Sequence, residues 1–405
     1  MPFTIALSGL NAASADLSVT ANNVANVNTT GFKMSRAQFS EVFAVGTQSV
    51  SSSAAGSGVK LSEIAQQFTQ GNIDFTDNAL DLAIGGEGFF VLSDNGSRMY
   101  TRAGAFGVNN EGFVVNAQGA RLQAYPHAGG GLFNTGTPND LQLSTGANPP
   151  AATTRATLGI NLPADSSPPV NPVFDASDPT SFNHTTSVSV YDSLGAAHTA
   201  TVYFIKDAAA NTWNTEVQIE GTTVAGAGQI AFASDGSLQS PVGGLMPLAG
   251  YDPGTGAADI TMSIDFADAT QFGDNFGVNS LSQDGFTTGR LTGVSVDEEG
   301  VVFARYTNGQ SSSLGKLALA NFANPQGLQQ LGDTAWGESF QSGDALLGEA
   351  GTASFGSIQS GALEASNVDL TAQLVQMITA QRNFQANAQM ISTADTVTQT
   401  VINIR

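Results

Sequence analysis

The residues able to do chemistry in this chain are few and scattered. Its three histidines, His127, His184 and His198, are isolated, and none has a second histidine four residues away or a carboxylate at metal-ligand spacing. Asp297-Glu-Glu could supply the carboxylate pair of a glycoside hydrolase, yet in sequence it fills a tight turn before Gly300. Gly85-Gly-Glu-Gly88 has the composition of a phosphate loop, but a phosphate loop should open a helix and this one leads into Phe-Phe-Val-Leu, a strand. Asp94-Asn-Gly and Asp235-Gly are fragments of calcium-loop pattern without the ligands that should follow, and they read as hairpin turns. With no Gly-x-Ser-x-Gly elbow and no cysteine, nucleophilic and thiolate chemistry have no candidate. The expectation is a protein that is not an enzyme, with no cofactor and no metal.

The periodic elements carry more information. Residues 366–405 contain neither Gly nor Pro and are rich in Ala, Gln, Leu and Met, which predicts a helix of about 35–40 residues, roughly 55 Å long. Ser366 or Asn367 can cap it, Asp369 suits its first turn and Arg405 its last. Leu370, Met377, Phe384, Ile391 and Thr398 recur every seven residues, with Leu374, Ala388 and Val401 beside them. At the other end Phe3, Leu10, Leu17 and Val24 are also seven apart, flanked by Leu7 and Ala21, and Asp16 is the only charge before Lys33. A lone helix cannot bury such a stripe. The two ends are therefore expected to pair with each other and with copies of themselves. Asn22, Asn23, Asn26 and Asn28 crowd the end of the first helix, where they could cap it or bond a neighbouring subunit.

Two motifs beside these helices resemble the bacterial flagellar axial family of rod, hook and hook-associated proteins. They are Ala21-Asn-Asn-Val-Ala-Asn-Val-Asn-Thr-Thr-Gly-Phe-Lys33 and Ser366-Asn-Val-Asp-Leu through Gln381-Arg-Asn-Phe-Gln-Ala-Asn387. Asp81-Leu-Ala-Ile-Gly, Gly88-Phe-Phe and Asn321-Phe-Ala-Asn-Pro-Gln-Gly-Leu328 are similar to the same family. Total length and a long central insert lie nearest its hook members; rod members lack so large an insert. The resemblance implies a structural subunit of a curved, flexible helical homopolymer that transmits torque and encloses an export channel. It implies terminal helices forming an inner tube, β-domains forming outer layers, and neighbours among the rod, hook–filament junction, cap and type III export proteins. It implies an extracellular place in the flagellum, reached without a cleaved signal peptide. A distal rod protein is the alternative within the family, and a carbohydrate-binding module in the insert the alternative outside it. The residues expected to carry self-assembly are Phe3, Leu7, Leu10, Leu17, Asn22, Asn23, Val24, Asn26, Leu370, Leu374, Met377, Phe384, Ile391 and Val401.

Between the ends the chain reads as β-structure punctuated by Gly, Pro, Asn and Asp. The fold class expected is mainly β with long terminal α-helices, in a nested multidomain layout. Residues 1–30 and 363–405 form a terminal helical coiled-coil domain. Residues 31–70 and 326–362, rich in Gly and Ser, form extended connector arms. Residues 71–145 and 280–325 form an inner β-domain, and 146–279 a β-barrel or sandwich inserted in it. The net charge of −21 and pI near 4.1 oppose binding to nucleic acid or to an anionic membrane surface. In residues 146–279 two basic residues face thirteen acidic ones, a net −11, which is read as a solvated surface. No apolar run is long enough to predict a membrane span.

Overall fold

The computed structural model describes residues 2–42, 56–129, 131–143, 146–224, 226, 228–352 and 354–403. Most of the Ser-rich stretch 50–58, and Arg405, lie outside them. The chain divides into two compact units: Met1–Thr145, Gly293–Arg305 and Ser311–Arg405 in the first, Gly146–Thr292 and Tyr306–Gln310 in the second.

The first unit is built on a sheet whose central strands are Val301–Tyr306, Ser311–Asn321, Arg121–Gly129, Phe89–Asp94 and Ser97–Thr101 in spatial order. Successive side chains of a strand point to opposite faces. Here both faces are apolar, so the strands read as continuous hydrophobic runs. Phe90, Leu92, Leu122, Leu317 and Leu319 fill one core. Phe89, Val91, Tyr125, Ala318 and Ala320 fill the other, with Tyr100, Phe322 and Trp336. The hairpins turn on one device. Asn109, Asn116 and Asp297 each accept backbone N–H bonds from residues two and four further on, at 2.7–3.1 Å. Asp297 therefore serves its turn, as its sequence context predicts.

The second unit packs two sheets face to face. One holds Leu245–Pro247, Ser263–Asp265, Arg155–Asn161 and Gly277–Gln283. The other holds His184–Tyr191, Ala197–Lys206, Thr212–Ile219, Gln229–Phe232 and Leu238–Ser240. Leu158, Ile160 and Ile264 from the first meet Val202, Phe204, Trp213 and Val217 from the second in a single core. This is a sandwich, one of the two forms the strand spacing allows.

The terminal helices, α1 (Pro2–Ala25) and α2 (Leu370–Asn403), pack along each other. At about 1.5 Å per residue they span roughly 36 and 51 Å. The segments read as connector arms hold more structure than their composition suggests. Ser35–Glu41 and Val59–Gln66 form an antiparallel hairpin lying against α1. Gln329–Gly332, Ala335–Gly337 and Leu346–Glu349 join the central sheet. Ser357–Ser360 pairs with Leu82–Gly85, and Ala362–Glu364 with Ile73–Phe75. Isolated apolar anchors explain the difference: Trp336 and Ile358 are buried, and Phe68 packs edge-to-face on Phe89 and Trp336.

Candidate assembly interface

Both helices spring from one buried cluster. Lys33, eight residues beyond α1, donates to Glu364 Oε1 at 2.6 Å and to the Thr69 carbonyl at 2.8 Å. Arg102 donates to Glu364 Oε2 at 3.3 Å and to the Gly86 carbonyl at 2.6 Å. Glu364 Oε1 also accepts from the Gly71 amide at 2.9 Å. Lys33 and Glu364 have no exposed side-chain surface and Arg102 only 5 %. Burial pushes the Lys33 ammonium and the Arg102 guanidinium below their usual ranges, and the Glu364 carboxylate opposes it. Asn367 completes the clasp: its Oδ1 accepts from the Met34 amide at 2.7 Å while its Nδ2 donates to the Gln67 carbonyl at 2.8 Å. Gly31 has φ +69°, and a Cβ there would lie 2.4 Å from the Ala103 amide nitrogen, so the motif glycine permits this close approach. Lys33 and Asn367 belong to the family motifs, but the bonds of Lys33 to Glu364 and of Asn367 to Met34, each across more than 300 residues, were not legible. The available signal was isolation: Glu364 is the only charged residue between Glu349 and Asp369.

The helices pair antiparallel through small and amide side chains. On α1 the contact face steps through Ala6, Gly9, Ala13, Asp16, Thr20 and Asn23, alternating by three and four residues. Ala6, Ala13, Thr20 and Asn23 are buried. A Cβ on Gly9 would fall 2.5 Å from Asn387 Oδ1. Asp16 accepts from Gln376 at 3.0 Å, and Asn23 donates to Gln373 at 3.0 Å. On α2, Gln373, Ala380 and Asn387 lie on this face seven apart, and Ala380 is fully buried.

The expected stripes sit one residue further round each helix. Leu10, Leu17 and Val24 follow Gly9, Asp16 and Asn23 by one position, and Leu374 and Met377 follow Gln373 and Gln376 likewise. One residue is about 100° of helix. The large apolar side chains therefore flank the intrachain contact. Phe3, Leu7, Leu370, Leu374 and Phe384 remain between 37 % and 52 % exposed. Leu10, Leu17, Val24, Met377 and Ile391 are half-buried. Val401 lies in α2, and its side chain is outside the described residues.

The asparagines divide their work. Asn23 is buried, donates to the Ser35 carbonyl at 2.8 Å and accepts from the Ser35 amide at 2.9 Å, so it fixes the chain leaving α1. Asn26 Nδ2 donates to the Asn22 carbonyl at 3.0 Å and its Oδ1 accepts from Thr29, a cap of the helix end. Asn22 is exposed. The α2 cap is Asp369 rather than Ser366 or Asn367. Asp369 Oδ1 accepts from the Thr371 and Ala372 amides at 2.8 and 3.1 Å, while the Asn367 side chain is committed to the clasp. Asp369→Ala is expected to cost about 1 kcal/mol. Amide hydrogen exchange should show it as lost protection confined to residues 370–373.

The histidines lie on separate elements. His127 shares a hydrogen bond with Ser313, His184 stacks on Phe276 with ring centroids 4.5 Å apart, and His198 meets Asp192 at 3.3 Å. Among the described residues no three His, Cys, Asp or Glu side chains group as metal ligands, and no helix is long and apolar enough to cross a membrane.

Comparison with known proteins accounts for this layout. Family models match in chain order: flagella basal body rod protein over residues 3–33, flagellar hook protein FlgE/F/G D1 domain over 83–172, flagellar basal body protein FlaE D2 domain over 161–286, and flagellar basal body rod FlgEFG protein C-terminal over 359–404. The chain is 41 % identical to the flagellar hook protein FlgE of Escherichia coli (strain K12), over 100 % of both chains. It is 33 % identical to that of Borreliella burgdorferi, over 98 % of each. The crystal structure of Helicobacter pylori flagellar hook protein FlgE2 shares the fold, with a TM-score of 0.54 and 15 % identity over 72 % of this chain and 100 % of that one. These matches define a protein of the flagellar axis. Within that class, the chain belongs to the flagellar hook protein FlgE family.

Proposed function

We propose that the protein is the structural subunit of the flagellar hook, polymerising into a curved, flexible tube that carries motor torque to the filament and encloses an export channel. The observation that carries this reading is the helix pair. It buries small residues and amides within the subunit and leaves a stripe of large apolar side chains half-covered. Covering the exposed half of each is worth about 1 kcal/mol, and a regular array of copies covers all of them at once. Phe3, Leu7, Leu10, Leu17, Val24, Leu370, Leu374, Met377, Phe384, Ile391 and Val401 form the tight contacts between copies, with Asn22 as a polar partner. The acidic second unit, 146–279 in its main part, makes weaker contacts that slide as the tube bends. Rod and junction proteins meet the two ends of the tube, and the cap and export apparatus serve its growth outside the cell. The role is structural rather than catalytic.

Deleting the gene and imaging basal bodies beside a complemented control tests the assignment. Complete rods without hooks are expected. Basal bodies lacking the distal rod would move the protein into the rod, and normal motile flagella would exclude both.

A further inference from the structure

Phe340 is fully exposed, at 103 % of its reference area, yet its loop is fixed. Ser339 Oγ donates to the Gly327 carbonyl, and the Ser339 amide donates to Ser342 Oγ at 2.9 Å. Ser342 Oγ donates back to the Ser339 carbonyl at 2.9 Å, and Asn324 Nδ2 holds the Gln341 carbonyl at 3.0 Å. An aromatic side chain carried on a fixed backbone has only two side-chain torsions to order on docking and makes an effective anchor.

The same unit carries a matching hole. A cavity of about 360 Å³ is lined by Phe32 and Trp336 and by the amides of Asn22, Asn26, Gln66 and Gln330, with Lys33 and Asp333 also on its wall. Trp336 Nε1 donates to Gln66 at 2.6 Å and Asn26 is held by the Asn22 carbonyl, so the walls are set before anything enters. Phe32, half-buried, can take an incoming ring edge-to-face above the buried Trp336, and the cavity is wide enough to admit a benzyl group.

We propose that Phe340 of one subunit seats in the Phe32–Trp336 cavity of the next copy of this chain; this rests on the reading that the protein polymerises. Both halves of the contact are on one chain and on different patches of it. Such a contact is heterologous, and repeated it closes into a ring or winds into a helix, the geometry a tube wall requires. It gives exposed Asn22, on the cavity wall, a neighbour to bond.

Because Phe340 packs against nothing in the subunit, Phe340→Ala leaves the fold intact. It is expected to raise the critical concentration for polymerisation about thirty-fold, with Phe340→Leu in between. The natural chain has no cysteine, which gives a second readout. Asn22→Cys subunits copolymerised with Gln341→Cys subunits should give disulfide-linked dimers on oxidation, whereas an oxidised mixture of monomers should not. Polymers of Phe340→Ala forming at the wild-type concentration, or copolymers giving no cross-linked dimer, would overturn the contact while leaving polymerisation standing. Wild-type protein that forms no polymer would overturn the underlying reading and the contact with it.

Discussion

Glu364→Gln is expected to destabilise the first unit by about 3–5 kcal/mol, the cost of leaving buried cations without their anion. Lys33 and Arg102 both rely on this carboxylate, Lys33 with no exposed side-chain surface and Arg102 with only 5 %. The neutral amide keeps the shape and one acceptor but cannot offset two desolvated charges. The site also joins segments far apart in the chain: the run out of α1, the turn at Gly71, Arg102 after the strand Ser97–Thr101, and the run into α2. Loss should therefore spread to both helix roots rather than stay local. The two tryptophans make this measurable, since Trp336 lies in the first unit and Trp213 in the second. In a Trp213→Phe background, urea unfolding followed by fluorescence reports the first unit. The midpoint should fall sharply for Glu364→Gln. It should recover in part when Lys33→Met is added, because removing both partners leaves one fewer orphaned charge. A change below about 1 kcal/mol would mean that the cluster is solvated and does not hold the helices.

Leu374→Asp combined with Phe384→Asp is expected to abolish polymerisation while leaving the monomer folded. Both side chains are more than a third exposed in the subunit, so each substitution should change its stability by no more than about 1 kcal/mol. Between copies the same carboxylates would be buried without partners, at a cost of at least about 2 kcal/mol each, repeated at every contact. Sedimentation should find the variant in the supernatant under conditions that pellet the wild type. Polymers of the variant at normal yield would place the stripe on a solvent-facing side of the assembly.

Much of this architecture was legible because period and burial agreed. The helix α2 is 34 residues long against the 35–40 expected. The seven-residue spacing at both ends located the helices and their pairing. It misassigned the face of contact, because periodicity weighs large apolar residues and the intrachain seam is made of Ala, Gly, Thr and amides. Gly9 shows why: its missing Cβ lets Asn387 approach, which no hydrophobicity pattern records. The arms were misread for the opposite reason, since a few anchors such as Trp336 and Ile358 outweigh many Gly and Ser. The clasp was hidden because a contact between Lys33 and Glu364 has no local signature, only the oddity of charges in stretches that otherwise lack them.

Polymerisation through the terminal helices requires the apolar stripe, open in the subunit, to close in the polymer. Thiol labelling of a Leu374→Cys variant measures this directly in a chain with no other cysteine. Rapid labelling of the monomer and protection upon polymerisation, reversed when the polymer is dissociated, is the predicted result. Equal labelling rates in monomer and polymer would contradict it and move the contacts between copies away from the terminal helices.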